Sequence, residues 1–224
     1  MSLSKRNRIP VMLIILILAV SPAKCAALET DPARVGACFI YTDGLLDDLC
    51  AIEYLSRYYD QAVIMLQDPG GLADSPYASG AVTDESTFFE AVSQWFTSVT
   101  PYSDPADIRE ADLYLLAPLT GFAELLRNEP SLSSKRALLM AGDSEGPDGA
   151  GGDWNAVMDI DAYRYVTENM TDLLQVTRPE CEAGFETNGY PFHARFLDEY
   201  TARMRSMDES VCCYDLQAAA LAFR

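Results

Sequence analysis

Three aspartates that lie close together are the residues of this chain best suited to do chemistry. Asp43, Asp47 and Asp48 fall within a six-residue stretch. Carboxylates at this spacing repel one another unless a proton or a cation lies among them. Clustered aspartates are also the oxygen ligands that a hard cation such as Ca²⁺ takes. The cluster therefore predicts a metal site, with helix capping by Asp47 or Asp48 as the alternative explanation.

A strand and a helix must position these carboxylates. The apolar run Ala37–Ile40 predicts a short buried strand, and a turn follows at Asp43-Gly44. The apolar positions from Leu49 to Leu55 then have the spacing of the inner face of a helix. In an open α/β sheet, the carboxyl end of such a strand is where ligands bind.

The rest of the chain repeats this alternation of strands and helices. With 224 residues, of which 49% are hydrophobic, it can bury a substantial core in one domain. Further predicted strands are Ala62–Leu66, Leu113–Leu116, Ala137–Met140 and Leu173–Val176. Further predicted helices are Thr83–Thr97, Phe122–Leu126, Ile160–Val166, Pro191–Arg205 and Tyr214–Phe223. The pattern predicts an α/β fold, an open and mostly parallel sheet with helices on both faces.

The N-terminus has the composition of a targeting segment. A basic region with Lys5, Arg6 and Arg8 precedes the apolar run Val11–Val20, which is short for a membrane span. Small residues that a signal peptidase reads follow near Cys25. We therefore expect a signal peptide over residues 1–25, a mature domain over residues 26–224, and a secreted or periplasmic protein. An uncleaved membrane anchor is the alternative.

The chain is strongly acidic, with a formal net charge of −18. Removing the four cations of residues 1–25 would bring the charge to about −22. Such a surface repels nucleic acid backbones and anionic membranes, so we expect neither as a partner after signal cleavage. The sequence leaves the oligomeric state, including a homo-oligomer, open.

Five cysteines would remain in the mature chain: Cys38, Cys50, Cys181, Cys212 and Cys213. In an oxidising compartment cysteines can form disulfides, but the sequence does not fix which of them pair. No cysteine spacing has the pattern of a zinc site, and the chain has one histidine.

The first aspartate segment resembles the opening motif of the inosine–uridine-preferring nucleoside hydrolases. That family has a strand, then Asp-x-Asp-Pro-Gly-x-Asp-Asp, then a helix, and the matching segment here is Tyr41–Asp48. The last three motif aspartates match Asp43, Asp47 and Asp48. Tyr41 stands at the first motif aspartate, and Gly44-Leu45 stand at the Pro-Gly pair.

Three later segments resemble further motifs of the family in the same order. Leu113–Leu126 is similar to a strand followed by Gly-Pro-Leu-Thr-Asn and a helix, with Ala117 and Gly121 at the first Gly and the Asn. Ala137–Asp161 is similar to a strand ending in Met-Gly-Gly, a Gly-rich loop and Ala-Glu-Phe-Asn. Cys213–Ala222 is similar to the late His-Asp-Pro-Leu-Ala segment. The resemblance covers the chain from about Cys38 onward.

The resemblance implies an enzyme that hydrolyses the N-glycosidic bond of ribonucleosides with the help of Ca²⁺. The implied calcium ligands are Asp43, Asp48, Asp215 and the main-chain carbonyl of Leu116. The implied catalytic residues are Asp43, as general base, and Tyr214, which stands where the family has His. The implied substrate-binding residues are Asp47 and Asn155 on the ribose hydroxyls, Asp153 in place of a family Glu, and Met140 lining the sugar pocket.

Two alternatives to this enzyme remain open. The replacements at Tyr41 and Tyr214 fit a catalytically silent relative that binds calcium and a nucleoside or a protein partner. A phosphatase-like use of Asp43 would need a second aspartate two residues later, and Leu45 occupies that position.

Overall fold

Six strands form one sheet in the part of the chain that the computed structural model describes, residues 36–68, 72, 74–140 and 153–222. The strands are β1 (Ala37–Thr42), β2 (Gln61–Leu66), β3 (Ser98–Pro101), β4 (Asp112–Leu115), β5 (Arg136–Met140) and β6 (Asp172–Val176). Each neighbouring pair is parallel. The expected mostly parallel sheet is thus entirely parallel over the described residues. The predicted signal peptide, and the Gly-rich loop up to residue 152, lie outside them.

The order of the strands, β3-β2-β1-β4-β5-β6, reverses at β1. The chain first builds outward through β2 and β3, then returns to the other side of β1 and builds outward through β4, β5 and β6. The carboxyl ends of β1 and β4 therefore flank a topological switch point, the place where open α/β sheets bind ligands. Asp43 follows β1 directly and Leu116 follows β4 directly.

Helices cover both faces of the sheet, as the sequence predicts. The described helices are α1 (Leu46–Leu55), α2 (Glu85–Val92), α3 (Thr120–Asn128), α4 (Trp154–Val157), α5 (Ile160–Asn169), α6 (Arg178–Asn188), α7 (Leu197–Ser206) and α8 (Tyr214–Leu221). Ile40 of β1 belongs to a core shared with α1, α2, α7 and α8, whereas Phe39 belongs to a core shared with α3 and α5. This alternation follows from the two-residue period of a strand. Among the described helices, none has the length and apolar character needed to cross a bilayer.

Several elements differ from the sequence prediction, beginning with α2 and β3. The helix expected over Thr83–Thr97 ends at Val92. Trp95 and Phe96 continue its apolar pattern in the sequence, which made the predicted helix too long, but they lie in the turn after the helix and pack on the core from there. After that turn, Ser98–Pro101 forms the edge strand β3. Proline has no N–H to donate to a neighbouring strand, and it is tolerated here because an edge strand has a neighbour on one side only.

Helix α6 was not predicted, and α7 begins at Leu197 rather than at Pro191. Only Cys181 of α6 is buried, so this helix has no apolar stripe to detect. Its signal is a capping box: the side chain of Thr177 accepts from the N–H of Glu180, and the Glu180 carboxylate accepts from the N–H of Thr177.

The turn between β1 and α1 needs glycine at position 44. Gly44 has φ +79°, and a Cβ there would lie 2.8 Å from a methyl carbon of Leu72.

We expect Gly44→Ala to destabilise the protein by about 3 kcal/mol, because a left-handed backbone and overpacking both contribute. Gly36→Ala has a positive φ and open space, so it should cost about 1 kcal/mol, and Gly80→Ala, in open space without a positive φ, should cost less. Urea unfolding of the three variants measures the order, and an equal loss at Gly44 and Gly80 would contradict it.

Candidate functional site

Four aspartates meet beyond the carboxyl end of β1. Asp43 follows the strand, and Asp47 and Asp48 occupy the first turn of α1, whose N-cap residue Leu45 makes no side-chain cap. Asp215 occupies the first turn of α8, which packs against α1. Two helix N-termini therefore direct their free N–H groups and the positive ends of their dipoles at the same region.

The carboxylates of this group lie close together. Asp47, Asp48 and Asp215 each place an oxygen within 4.8 Å of the other two, so that together they could hold a metal ion. The charge of Asp43 acts on Asp47 and Asp48, since after burial it is the largest cause of the raised pKa of each. We call these four residues the aspartate cluster. The structure thus groups Asp47, predicted for the ribose, with two predicted calcium ligands, and places Asp43 near them after the end of β1.

Burial makes the negative charges of the aspartate cluster costly. Asp48 and Asp215 are almost fully buried, and burial first, then the charges of the neighbouring aspartates, raise the pKa of each well above its ordinary value. The same causes, in the same order, raise the pKa of Asp47 to about 7. Burial also raises the pKa of Asp43. These carboxylates can all be ionised at neutral pH only if a positive charge lies among them.

Thr42, which sequence reasoning missed, orients one of these carboxylates. Its fully buried hydroxyl donates to Oδ1 of Asp48 at 2.5 Å and accepts from the N–H of Gly44 at 2.9 Å. The sequence contained a signal for this role of Thr42. Strand alternation places residue 42 on the face opposite Tyr41 and therefore on the side of α1. Thr42 ties the end of β1 to the first turn of α1.

Asn155 connects the carboxyl ends of β4 and β5. Its side-chain amide donates to the carbonyl of Leu116 at 2.8 Å and to the carbonyl of Met140 at 2.9 Å. Both amide hydrogens are used in this way, so contact with a ribose would fall to its Oδ1. The Leu116 carbonyl, the predicted main-chain ligand, keeps one lone pair beyond this bond. Met140 is buried, with its sulfur 4.0 Å from that of Cys181.

Asp153 is buried at the start of α4. It accepts from the N–H of Asn155 at 2.9 Å as the N-cap of that helix. Burial lowers the pKa of Arg178, but the Tyr214 hydroxyl and then the charge of Asp153 raise it on balance. Asp153 also contributes, after burial and the charges of Asp47 and Asp43, to the raised pKa of Asp215. The charge of Asp153 therefore acts both on the aspartate cluster and on Arg178, an arginine that sequence reasoning missed.

Tyr214 faces α6 rather than the aspartate cluster. Its hydroxyl donates to a carboxylate oxygen of Glu182 at 2.7 Å and accepts from the guanidinium of Arg178 at 3.1 Å. The guanidinium carbon of Arg178 also lies 4.8 Å from the centre of the tyrosine ring. Burial raises the pKa of Tyr214, so the phenol keeps its proton at neutral pH. The T-x-x-E capping signal of α6 would have located Arg178 at the first helical position.

Tyr41 and Gly121, which both depart from the family motifs, touch each other. The Tyr41 ring packs in the core shared with α3 and α5. Its hydroxyl accepts from the N–H of Gly121 at 3.0 Å, and it contacts the carbonyl of Pro118 at 3.0 Å and the side-chain oxygen of Gln67. A Cβ at position 121 would lie 3.0 Å from that hydroxyl, so the tyrosine and the glycine fit together.

No protein-family model, no curated protein and no solved structure matches this chain. The resemblance to nucleoside hydrolases therefore remains a prediction from the sequence motifs. The structure adds the placement of the nine predicted residues. Seven of them lie at the carboxyl ends of β1, β4 and β5 or at the starts of α1 and α4. Asp215 joins them from α8, and Tyr214 is turned toward α6.

Replacing one buried carboxylate should separate the stability of the protein from its capacity to bind a cation. We expect Asp48→Asn to raise the melting temperature by a few degrees in chelator, because it removes a carboxyl group whose ionisation burial opposes and keeps an acceptor for Thr42. The same variant should lose the rise of about 5–10 °C that Ca²⁺ at 100 times its Kd gives the wild type.

Asp161→Asn is the matched control for Asp48→Asn, since Asp161 also lies in the first turn of a helix but is exposed. It should change the chelated protein little and keep the full response to Ca²⁺. Differential scanning fluorimetry with and without chelator measures both variants. A wild type that does not respond to Ca²⁺, or an Asp48→Asn variant that responds fully, would contradict the metal site.

Proposed function

We propose that this protein is a calcium-dependent hydrolase that cleaves the N-glycosidic bond of ribonucleosides to free base and ribose. The observation that carries the proposal is the convergence of Asp47, Asp48 and Asp215 within 4.8 Å, with Asp43 nearby after β1, at the switch point of a parallel sheet. The motif resemblance supplies the reaction class, and the aspartate cluster supplies a site with the chemistry which that reaction requires.

The donor set fits a hard cation. Every side chain of the aspartate cluster offers oxygen, and the Leu116 carbonyl offers another oxygen at the neighbouring strand end. Ca²⁺ takes six to eight oxygen ligands, so a calcium held here would have coordination positions left for water and for substrate hydroxyls. Mg²⁺ has related ligand chemistry, and titration with each ion distinguishes the two.

Proton transfer falls to Asp43 in this proposal. A bound Ca²⁺ would orient a water molecule and lower its pKa. Asp43 is suited to accept the proton of that water, because burial raises its pKa toward the range in which a carboxylate acts as a base. The bond from the N–H of Leu45 to its Oδ1, at 3.4 Å, holds the carboxylate at the rim of the cluster. Asp47 and Oδ1 of Asn155 are assigned to the ribose hydroxyls.

Departure of the base is assigned to the group formed by Tyr214, Arg178 and Glu182. The sugar passes through an oxocarbenium-like transition state while negative charge develops on the leaving base. A phenol with a raised pKa is a weak acid, but it remains a hydrogen-bond donor, and the Arg178 guanidinium beside it favours negative charge nearby. Tyr214 thus takes the role that the resemblance gives to histidine.

A second candidate function is a catalytically silent relative that binds calcium and a nucleoside or a protein partner. The observation that favours it is the use of Tyr214 and Asn155 within the protein itself: the Tyr214 hydroxyl donates to Glu182, and both amide hydrogens of Asn155 go to main-chain carbonyls. Such a protein would keep the response to cations and lack turnover.

Release of reducing sugar from a panel of ribonucleosides tests the reaction. We expect the wild type to release ribose with Ca²⁺ and to stop when a chelator is added. We expect Asp43→Asn to lower kcat at least about 100-fold, because it removes the base. The control is Asp161→Asn, which should turn over like the wild type.

The outcomes separate the two candidate functions. Failure of every nucleoside to react, while Ca²⁺ still raises the melting temperature, would support the silent relative and overturn the enzyme. Full activity of Asp43→Asn would show that the base lies elsewhere.

The role of Tyr214 can be tested with a substrate whose leaving group needs no acid. We expect Tyr214→Phe to lower kcat/KM for ribonucleosides about 10-fold or more, and to leave p-nitrophenyl ribofuranoside unaffected, since nitrophenolate departs unaided. The matched control is Tyr165→Phe, which removes a phenol that also lies under an arginine, Arg127, but on α5 next to α3. Equal losses on both substrates would instead assign Tyr214 a purely structural role.

A further inference from the structure

We propose that a cavity at the amino ends of β4 and β5 binds a free α-amino acid with an apolar side chain. Arg136 and Asp112, which both line the cavity, are assigned to the carboxylate and the ammonium group of that amino acid. The aspartate cluster lies beyond the opposite, carboxyl end of the sheet, so the inference goes beyond the proposed function and does not rest on it.

The cavity is separate from the aspartate cluster and suits a small ligand. It lies on the face of the sheet that α1 and α8 cover, and Ala222, directly after α8, lines it. Asp215 lies in the first turn of the same helix, which spans about 10 Å between the two positions. The cavity volume is about 270 Å³. Pockets for drug-sized ligands have about 300–1,000 Å³, so this volume indicates a smaller molecule.

A chain of hydrogen bonds holds Asp112 at the wall of the cavity. The Tyr59 hydroxyl donates to Oδ2 of Asp112 at 2.7 Å and lies 2.8 Å from the hydroxyl of Tyr114. Because the one hydrogen of the Tyr59 phenol goes to Asp112, the bond between the two hydroxyls runs from Tyr114 to Tyr59. Burial raises the pKa of both phenols, which keeps them protonated as donors. No donor in the described part of the chain contacts Oδ1 of Asp112, which leaves that oxygen for an ammonium group.

Arg136 supplies a positive charge on the neighbouring strand. Leu113 pairs with Ala137, so Asp112 and Arg136, each one residue earlier, lie side by side at the starts of β4 and β5. Within the described residues, Arg136 forms no ion pair with Asp112 or with Asp172, its neighbour on β6. Neighbouring strands lie about 4.8 Å apart, and a single carbon atom joins the ammonium and the carboxylate of an α-amino acid. Such a zwitterion can contact both side chains at once, whereas a molecule with one charge satisfies only one of them.

An apolar row beside these charges would receive the side chain of the amino acid. Tyr114, Leu138 and Leu174 are neighbours across β4, β5 and β6, and all three line the cavity. Tyr114 and Leu138 are each 4% exposed, whereas Leu174 is 42% exposed. An apolar ligand side chain that covers Leu174 removes this surface from water, which favours binding.

An NMR titration of the full chain with L-phenylalanine and L-leucine tests the site. We expect saturable binding of each with a Kd on the order of 1 mM, as ligands of about 10 non-hydrogen atoms commonly give. Hydrocinnamate lacks the ammonium group of phenylalanine, and phenethylamine lacks its carboxylate. Each should bind at least about 10-fold more weakly than phenylalanine, because it loses one charge-assisted contact.

Two variants assign the charges. Arg136→Gln should weaken phenylalanine at least about 10-fold and leave phenethylamine unchanged, since phenethylamine has no carboxylate. Asp112→Asn keeps an acceptor for Tyr59, and it should weaken phenylalanine while leaving hydrocinnamate unchanged. The matched control is Arg164→Gln, which removes an exposed arginine of α5 on the other face of the sheet and should bind phenylalanine like the wild type.

The outcomes also separate this site from the aspartate cluster. We expect the same affinity for phenylalanine with Ca²⁺ and with a chelator, whether or not the protein hydrolyses nucleosides. Absence of saturable binding of both amino acids overturns the proposal. Equal affinity for the three phenyl compounds would show an apolar cleft without charge recognition, and full affinity of Arg136→Gln would remove the assigned anion contact. Binding that depends on Ca²⁺ would place the amino acid at the aspartate cluster, and any of these results contradicts the proposal.

Discussion

The structure depends on holding four mutually repelling carboxylates together at the N-termini of two helices. Asp47 and Asp48 on α1 can meet Asp215 only if α8 lies close against α1. The sequence of α8 permits this approach, because Ala218, Ala219 and Ala220 present small side chains that are almost fully buried. Apolar packing between the helices thus opposes the repulsion, and the free N–H groups and dipoles of two helix N-termini reduce it.

Local chemistry made part of this arrangement predictable from the sequence. A strand, a glycine turn and a helix with acids in its first turn lie within 19 residues of the printed sequence, from Ala37 to Leu55, and their signals do not depend on distant contacts. The parallel sheet follows from the alternation of strands and helices. Asp215 lies far along the chain, and it was selected by motif resemblance alone, because nothing in its local sequence indicates that α8 packs beside α1.

The residues that sequence reasoning missed act through tertiary contacts. Thr42 matters because β1 ends beside α1, where its hydroxyl reaches Asp48. Arg178 matters because α6, which buries little apolar surface, brings a guanidinium against the ring of Tyr214. Asn155 was selected as a ligand for ribose, yet its amide also ties the ends of β4 and β5 together. A polar side chain near a site can thus serve both the scaffold and a ligand, and sequence patterns do not separate the two roles.

Tyr41 is the departure that bears most directly on how the site is supported. Strand alternation turns position 41 away from the side on which Thr42 meets Asp48, and the tyrosine ring there packs in the core shared with α3 and α5. Its hydroxyl binds the main chain at Pro118 and Gly121, in the segment that joins β4 to α3. That segment begins at Leu116, whose own N–H donates to the carbonyl of Tyr41 at 2.8 Å. Position 41 therefore supports the site through the backbone that presents the Leu116 carbonyl, and with tyrosine there the bond from Thr42 to Asp48 is in place on the other face of β1.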